Sequence, residues 1–242
     1  MKIATLILGF MIFVHSCNYA QNVNYEDENF KSFCDEFKYI IPVNCIDQDV
    51  YLNKIPDAYS KKYLGLSDKD LIIDDGSYNY DDDVWISNWR KREPLYVGKI
   101  ECKTNVVVIY KYLDNINNIG ENWINILLTF GYNGKRIDKI EVAGYKTIEE
   151  DNLGCIFLNN QTFRLFDYKI NFDKYKKENG VYYLRENSGD KPETICTITE
   201  YQITDAGKIE KTGWTETKLL KESVTYYRQY HKDSDDPMNE YR

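Results

Sequence analysis

The strongest constraint on the fold of this chain is a series of β-hairpin patterns that begins near residue 84 and continues towards the carboxyl end. The clearest of them, residues 123–142, has two strand-like runs on either side of Asn133-Gly134. This dipeptide is preferred in type I′ hairpin turns because both of its positions accept positive φ. Further turns are indicated at Asn159-Asn160 and at Asp205-Ala206-Gly207. We therefore predict a mainly β fold, an antiparallel meander that forms a barrel or a curved sandwich.

Two short helices are predicted ahead of these hairpins. Phe30, Phe33 and Phe37 follow the spacing i, i+3, i+7, which places them on one face of a helix. A second helix is expected to begin near Pro56 and to end at Gly65. The 22 tyrosines favour strands, where the ring covers the pleated surface and the hydroxyl reaches water. We expect one β-rich domain over residues 30–230, one or two short N-terminal helices, and a polar tail at 231–242.

The first residues have the pattern of a secretory signal peptide. Lys2 supplies a positive charge, and residues 3–14 form an apolar run that only Thr5 and Gly9 interrupt. This run is shorter than the roughly 20 apolar residues that a membrane-spanning helix needs. The alternative, a buried N-terminal strand or helix, requires protein cover on every face of the run. We therefore predict a signal peptide at residues 1–16.

The motif Val14-His15-Ser16-Cys17 resembles the lipobox of bacterial envelope lipoproteins, from which it departs at His15. The resemblance implies diacylglycerol on the Cys17 thiol, fatty acylation such as palmitate, and cleavage before Cys17. Residues 17–29 are then a polar tether, and Asn18, in place of the aspartate that retains such proteins at the inner membrane, favours the outer membrane. A cut after Ala20 is the alternative, and it predicts secretion to the periplasm. The Tyr-rich β-meander body resembles uncharacterised bacterial lipoproteins of this type, and that loose resemblance implies no activity.

The remaining cysteines and the two histidines limit the chemistry. In an oxidising compartment, Cys34 and Cys45 are spaced to close a small loop through a disulfide. His15 is removed with the signal peptide and His231 lies in the polar tail, so a Ser-His-Asp triad, a Cys-His dyad and His-ligated metals are excluded. No cofactor is predicted.

A dense group of aspartates is the first candidate binding site. Asp74, Asp75, Asp81 and Asp83 lie within ten residues of one another and supply the hard oxygen ligands that calcium prefers. The EF-hand pattern is not matched in this segment. The alternative is an acidic loop that is solvated by water and salt.

Two tryptophans directly follow these aspartates. In a continuous strand Trp85 and Trp89 would lie on the same face, on either side of Ser87. Exposed indoles beside carboxylates are typical of sugar-binding surfaces, where the rings stack on apolar sugar faces. The alternative places both indoles in the core.

The net charge of −8 opposes binding to nucleic acids. We therefore expect a lipid-anchored, non-enzymatic envelope protein that binds a glycan or protein ligand. One alternative is a carboxylate-dependent glycan hydrolase, which needs a cleft with two acids within about 10 Å of each other. Another is an assembly or inhibitor subunit, which would show an exposed apolar patch.

Overall fold

The computed structural model describes residues 24–37, 52–74, 76–79, 84–117, 120–144, 152–170, 175–178, 181–184 and 194–220. The strands in these ranges are β1 (Ile72–Asp74), β2 (Ser77–Asn79), β3 (Val84–Ile86), β4 (Trp89–Lys91), β5 (Leu95–Glu101), β6 (Asn105–Asn117), β7 (Gly120–Gly131), β8 (Arg136–Gly144), β9 (Asn152–Phe157), β10 (Thr162–Ile170), β11 (Tyr175–Glu178), β12 (Val181–Leu184), β13 (Thr194–Ile203) and β14 (Ile209–Leu220).

Eight of these strands form one antiparallel sheet with the order β14-β13-β10-β9-β8-β7-β6-β5. Every neighbour in the sheet is the next strand along the chain, apart from the inserted hairpin β11–β12. The meander predicted from the hairpin signals is therefore confirmed. In the described part of the chain the sheet does not close into a barrel, because β5 and β14 stand at its two ends.

The predicted turns lie where the sequence indicates them. Strand β7 ends at Gly131 and β8 begins at Arg136, with Gly134 between them at a φ of 75°. The hairpin β13–β14 turns through Gly207, whose φ is 77°. Positive φ at these positions is the backbone conformation that glycine adopts without strain, so the local sequence sets the strand order.

Both predicted helices are present. Helix α1 (Glu28–Asp35) begins at Asp27, whose carboxylate accepts hydrogen bonds from the amides of Asn29 at 2.8 Å and Phe30 at 3.2 Å. Helix α2 (Asp57–Tyr59) continues as a π-helical turn over Ser60–Leu64 and ends at Gly65, whose φ is 70°. No helix in the described ranges has the length and apolar character needed to cross a membrane.

The strands β5–β7 are buried on both faces. One face packs against the helices, and Phe30 and Phe33 of α1 contact Phe130 of β7 there. The opposite face curves around a second apolar layer that includes Val107, Ile109, Leu127, Cys155, Phe157 and Phe163. Burial of alternate residues on both faces explains the unbroken β-branched run of β6, because neither face can be polar.

Four hairpin turns meet at one end of the sheet, and we refer to them together as the turn end: residues 102–104, 132–135, 158–161 and 204–208. The Tyr132 hydroxyl donates to the Cys102 carbonyl at 2.6 Å, and the side-chain amide of Gln161 donates to the Asp205 carboxylate at 3.2 Å. The side-chain amide of Asn105 donates to the Thr204 carbonyl at 3.3 Å. The last hairpin of the sheet is thus tied to the start of β6.

The N-terminal segment joins the domain at the turn end. The Tyr25 hydroxyl donates to Glu101 Oε1 at 3.0 Å, and the Glu26 amide donates to the Tyr132 carbonyl at 3.1 Å. The Tyr25 ring also meets the Tyr132 ring edge-on at 5.1 Å between centroids. Residues 25–27, which the sequence analysis places in the polar tether, therefore pack on the domain. The predicted signal peptide and the tail at 231–242 lie outside the described residues.

Candidate functional site

The segment that contains the predicted aspartate and tryptophan sites forms two small ribbons beside the main sheet, which we call the β1–β4 unit (residues 72–74, 76–79 and 84–91). Strand β1 pairs with β4, and β2 pairs with β3, both antiparallel. The unit is attached next to Tyr112 of β6, whose hydroxyl donates to the Asp70 carbonyl at 2.6 Å. Close by, the Arg92 amide donates to the Leu71 carbonyl at 2.8 Å.

The carboxylate of Asp74 holds the corner between the two ribbons. Its Oδ1 accepts from the amides of Gly76 at 3.0 Å and Asn88 at 2.9 Å, and its Oδ2 accepts from the Ser87 hydroxyl at 2.8 Å. Charged acceptors make the stronger class of hydrogen bond. Asp74 therefore joins the end of β1 to the chain that links β3 to β4.

Gly76 allows this corner to close. A Cβ at Gly76 would lie 2.2 Å from the carbonyl oxygen of Ile86 and 2.9 Å from the Ser87 Cα. Both are backbone atoms, which cannot rotate away as a flexible side chain can. A residue with a side chain at this position would thus force the two ribbons apart.

These contacts bear on the calcium prediction. Asp74 has a structural role in the unit, whereas Asp75, Asp81 and Asp83 lie outside the described residues. Within the described ranges, no three His, Cys, Asp or Glu side chains are grouped as a metal ion would require. Calcium binding by the full set of aspartates stays a prediction.

The two tryptophans lie in different strands. Trp85 is in β3 and Trp89 begins β4, with Ser87 and Asn88 between the strands. The expectation of one continuous strand through both residues is wrong, because the hydrogen bonds from Ser87 and Asn88 to Asp74 turn the chain. Only the backbone of Trp85 is described, but the Trp89 side chain is 67% exposed and does not belong to the core.

Large apolar side chains other than Trp89 are also exposed on this unit. Ile72 shares the outer face of the β1–β4 ribbon with Trp89, because the pairs Ile72–Lys91 and Asp74–Trp89 place these four residues on one side. Val84 and Ile86 share one face of β3, and both are more than half exposed. The sequence analysis missed these aliphatic residues. The adjacent pair Ile72-Ile73 was the available signal, since strand alternation sends only one of the two towards the core.

A buried ion-pair network lies away from this unit, between α1 and β5. Lys99 is 3% exposed, and its ammonium lies 3.2 Å from Asp35 Oδ1 and 3.1 Å from Glu101 Oε1. Tyr25 donates to the same Glu101 oxygen, and burial raises the pKa of its hydroxyl. Positions 25 and 35 are more than 60 residues from positions 99 and 101, which is why no local pattern indicates this network. Its contacts fasten the N-terminal segment and α1 to the sheet.

The described cysteines are all buried: Cys34, Cys102, Cys155 and Cys196. Burial raises the pKa of Cys34 to about 12 and that of Cys102 to about 11. Both thiols are therefore protonated at neutral pH and are poor nucleophiles. Cys45, the predicted disulfide partner of Cys34, lies outside the described residues, as does Cys17, so the disulfide and the lipid attachment stay predictions.

In comparisons with known proteins, no family model, no curated protein and no solved structure matches this chain.

Proposed function

We propose that this chain is a lipid-anchored binding module of the bacterial envelope, with the β1–β4 unit as its contact surface. One observation carries the proposal. Among the described residues, four of the five exposed large apolar side chains belong to this unit: Ile72, Val84, Ile86 and Trp89. Exposed apolar groups that are concentrated in one region are typical of interaction sites.

The unit is also constructed to hold these side chains in position. Asp74 accepts three hydrogen bonds across the corner, and Gly76 fits against the backbone of Ile86 and Ser87. A contact surface that is fixed before binding loses less conformational entropy when the partner arrives. The fixed position of these side chains supports a binding role for the unit.

The composition of the surface favours a protein partner over a glycan. Sugars bind to proteins by stacking on aromatic rings, and aliphatic side chains offer no flat face to them. Three of the four exposed residues are aliphatic, namely Ile72, Val84 and Ile86. Interfaces between proteins accommodate aliphatic and aromatic side chains together. We therefore assign the surface to an apolar segment of a partner protein, and glycan stacking on Trp89 is the competing ligand class.

Site-specific photo-crosslinking in the native envelope tests this function. A photoreactive phenylalanine at Ile86 should capture a partner, and the adduct should be lost when Trp89→Ala is introduced in the same chain. Leu219 provides a matched control, because it is 60% exposed but lies on β14. A crosslinker at Leu219 should give no adduct, and Leu219→Ala should leave the Ile86 adduct intact. If Ile86 gives no adduct and the protein is retained on a glycan array in a Trp89-dependent manner, the ligand is a glycan and the assignment to a protein partner is wrong.

The anchor is tested separately. Cys17 carries the lipid in this proposal, and it places the protein at the outer membrane. Incorporation of labelled palmitate should occur in the wild type and in Cys45→Ala, and it should be abolished in Cys17→Ala. Equal labelling of the wild type and Cys17→Ala would contradict the anchor.

A further inference from the structure

We infer that the turn end of the sheet rests on the membrane surface, against anionic phospholipid headgroups, and that the β1–β4 unit is held away from the bilayer. This inference rests on the proposed attachment of lipid at Cys17. It adds an interaction surface and an orientation that attachment alone does not determine.

The tether between the lipid and the domain is short. Seven residue steps separate Cys17 from Asn24, the first described residue. At the roughly 3.6 Å that a fully extended chain covers per residue, these steps span at most about 25 Å. A lipid on Cys17 therefore keeps Asn24 within that distance of the headgroups, whatever path the chain takes.

The tether meets the domain at the turn end. Tyr25 and Glu26 bind directly to the turn end, through the hydrogen bond from the Glu26 amide to the Tyr132 carbonyl at 3.1 Å and the edge-on contact between the Tyr25 and Tyr132 rings. Asp27 then caps α1. The chain consequently enters the domain at the turn end, and this end is the part of the sheet nearest the bilayer.

The charges at this end match the headgroups. Three of its turns each expose one lysine, Lys103, Lys135 and Lys208, although the chain as a whole has a net charge of −8. Within the four turns the acid is Asp205, whose carboxylate already accepts a hydrogen bond from the Gln161 side chain. The exposed acids Glu26, Glu28 and Glu210 lie in the flanking residues. Lysines close to an anionic leaflet are attracted to it, and the attraction decays within a Debye length.

The β1–β4 unit lies about one strand length from the turn end. Strand β6 runs from Asn105 at the turn end to Tyr112, beside which the β1–β4 unit is attached. Seven residues of a strand at about 3.4 Å per residue extend for roughly 24 Å. The apolar surface is therefore carried about one strand length further from the membrane than the turn end, where a partner in the aqueous space can reach it.

The test uses the full lipidated chain in vesicles of phosphatidylcholine and phosphatidylglycerol that contain a headgroup spin-labelled lipid. A fluorophore is attached at Lys135→Cys on the turn end or at Lys91→Cys on β4, both exposed positions, in a Cys45→Ser background. The four described native cysteines are buried and are protected from labelling. The fluorophore at 135 should lose most of its emission to the spin label, and that at 91 should keep it.

A second variant examines the headgroup contact itself. Replacing Lys103, Lys135 and Lys208 with Gln, with the fluorophore moved to Asn160→Cys, should weaken quenching relative to the same label in the chain with its lysines. The matched control replaces Lys54, Lys61 and Lys91, which are exposed elsewhere, and should leave the quenching at 160 unchanged. Equal loss with both sets of replacements would overturn the headgroup contact.

The outcomes separate this inference from the anchor. If mass spectrometry shows acyl chains on Cys17 but positions 135 and 91 are quenched equally, or neither is quenched, the orientation is wrong and the anchor stands. If Cys17 carries no acyl chain, the anchor fails and the orientation falls with it.

Discussion

Replacement of Asp74 by alanine is the most direct test of how the β1–β4 unit is held. The substitution removes the acceptor for the Gly76 and Asn88 amides and for the Ser87 hydroxyl. The eight-stranded sheet makes none of these contacts. We therefore expect the unit to open locally while the sheet stays folded.

The expected change in the free energy of local opening follows from the three hydrogen bonds that Asp74→Ala removes. Two of them are exposed and the third is only partly buried, so each contributes a net stabilisation of about 1 kcal/mol despite the charged acceptor. The local opening free energy should therefore fall by about 3 kcal/mol. Because every 1.4 kcal/mol corresponds to a factor of ten, the open population should rise on the order of 100-fold. Asp74→Asn retains one carbonyl oxygen for the two amides and should lose only about 1 kcal/mol.

Native-state hydrogen exchange measures this opening residue by residue. The amides of β1 and β4 should exchange faster in Asp74→Ala, as should the amide of Arg92, which follows β4 and is bonded to the Leu71 carbonyl. Amides of β6, such as those of Val107 and Val108, belong to the core of the sheet and serve as the internal reference. Asp68→Ala is the matched control, since its carboxylate is 83% exposed and contacts only Lys61 on the surface among its described ion pairs.

Unchanged exchange in β1 and β4 of Asp74→Ala would refute the reasoning, because the carboxylate would then contribute nothing to the position of the unit. Faster exchange in β6 as well would show that the unit and the sheet open together. Either result would remove the argument that Asp74 prearranges the apolar surface for a partner.

Three further outcomes are expected. Phe33→Ala should lower the free energy of unfolding by about 3–5 kcal/mol, because this fully buried ring packs on Tyr63 and Phe130. Urea unfolding measures the loss, and Phe33→Leu should give a smaller one. In a Cys45→Ser background, the Cys34 thiol, with its pKa raised to about 12, should resist aromatic disulfide reagents in the native protein and react once urea unfolds it. Rapid reaction of the native form would contradict its burial. Hydrogen bonds from the amides of Phe30 and Asn29 lower the pKa of Asp27 below its ordinary 3.8, so its stabilisation of α1 is complete above that value and is lost as the pH falls through the lowered pKa. A carboxyl-carbon NMR titration with its midpoint at or above 3.8 would be inconsistent with this cap.

The main sheet was predictable because the sequence signals for its turns are local. Asn133-Gly134 and the turn at Gly207 each occupy a few neighbouring residues, and the hairpins they produce are between adjacent strands. Phe30, Phe33 and Phe37 are likewise all buried in one apolar cluster, although α1 ends at Asp35 and Phe37 follows it. Patterns of period two or of helical spacing carry this information within a short window.

The candidate site was less predictable because its contacts cross the sequence. The carboxylate of Asp74 meets Ser87 and Asn88, which lie 13 and 14 positions further along the chain. In the sequence, Asp74 is only one of several aspartates in an acidic segment. The same contacts break the strand that Trp85 and Trp89 were expected to share. Sequence position alone could not distinguish a structural carboxylate from a metal ligand.

The join between Asn105 and the β13–β14 turn also has a consequence for the timing of folding. The Asn105 side chain and the Thr204 and Asp205 carbonyls that it contacts are 99 and 100 positions apart. Contacts of such long range form slowly, because a large loop must close before they are gained. A polypeptide that is still emerging cannot complete its turn end until the final hairpin has left the ribosome or the export channel. Truncation before residue 204 should therefore yield a species with an open sheet edge, which is a substrate for proteases and for edge-to-edge aggregation.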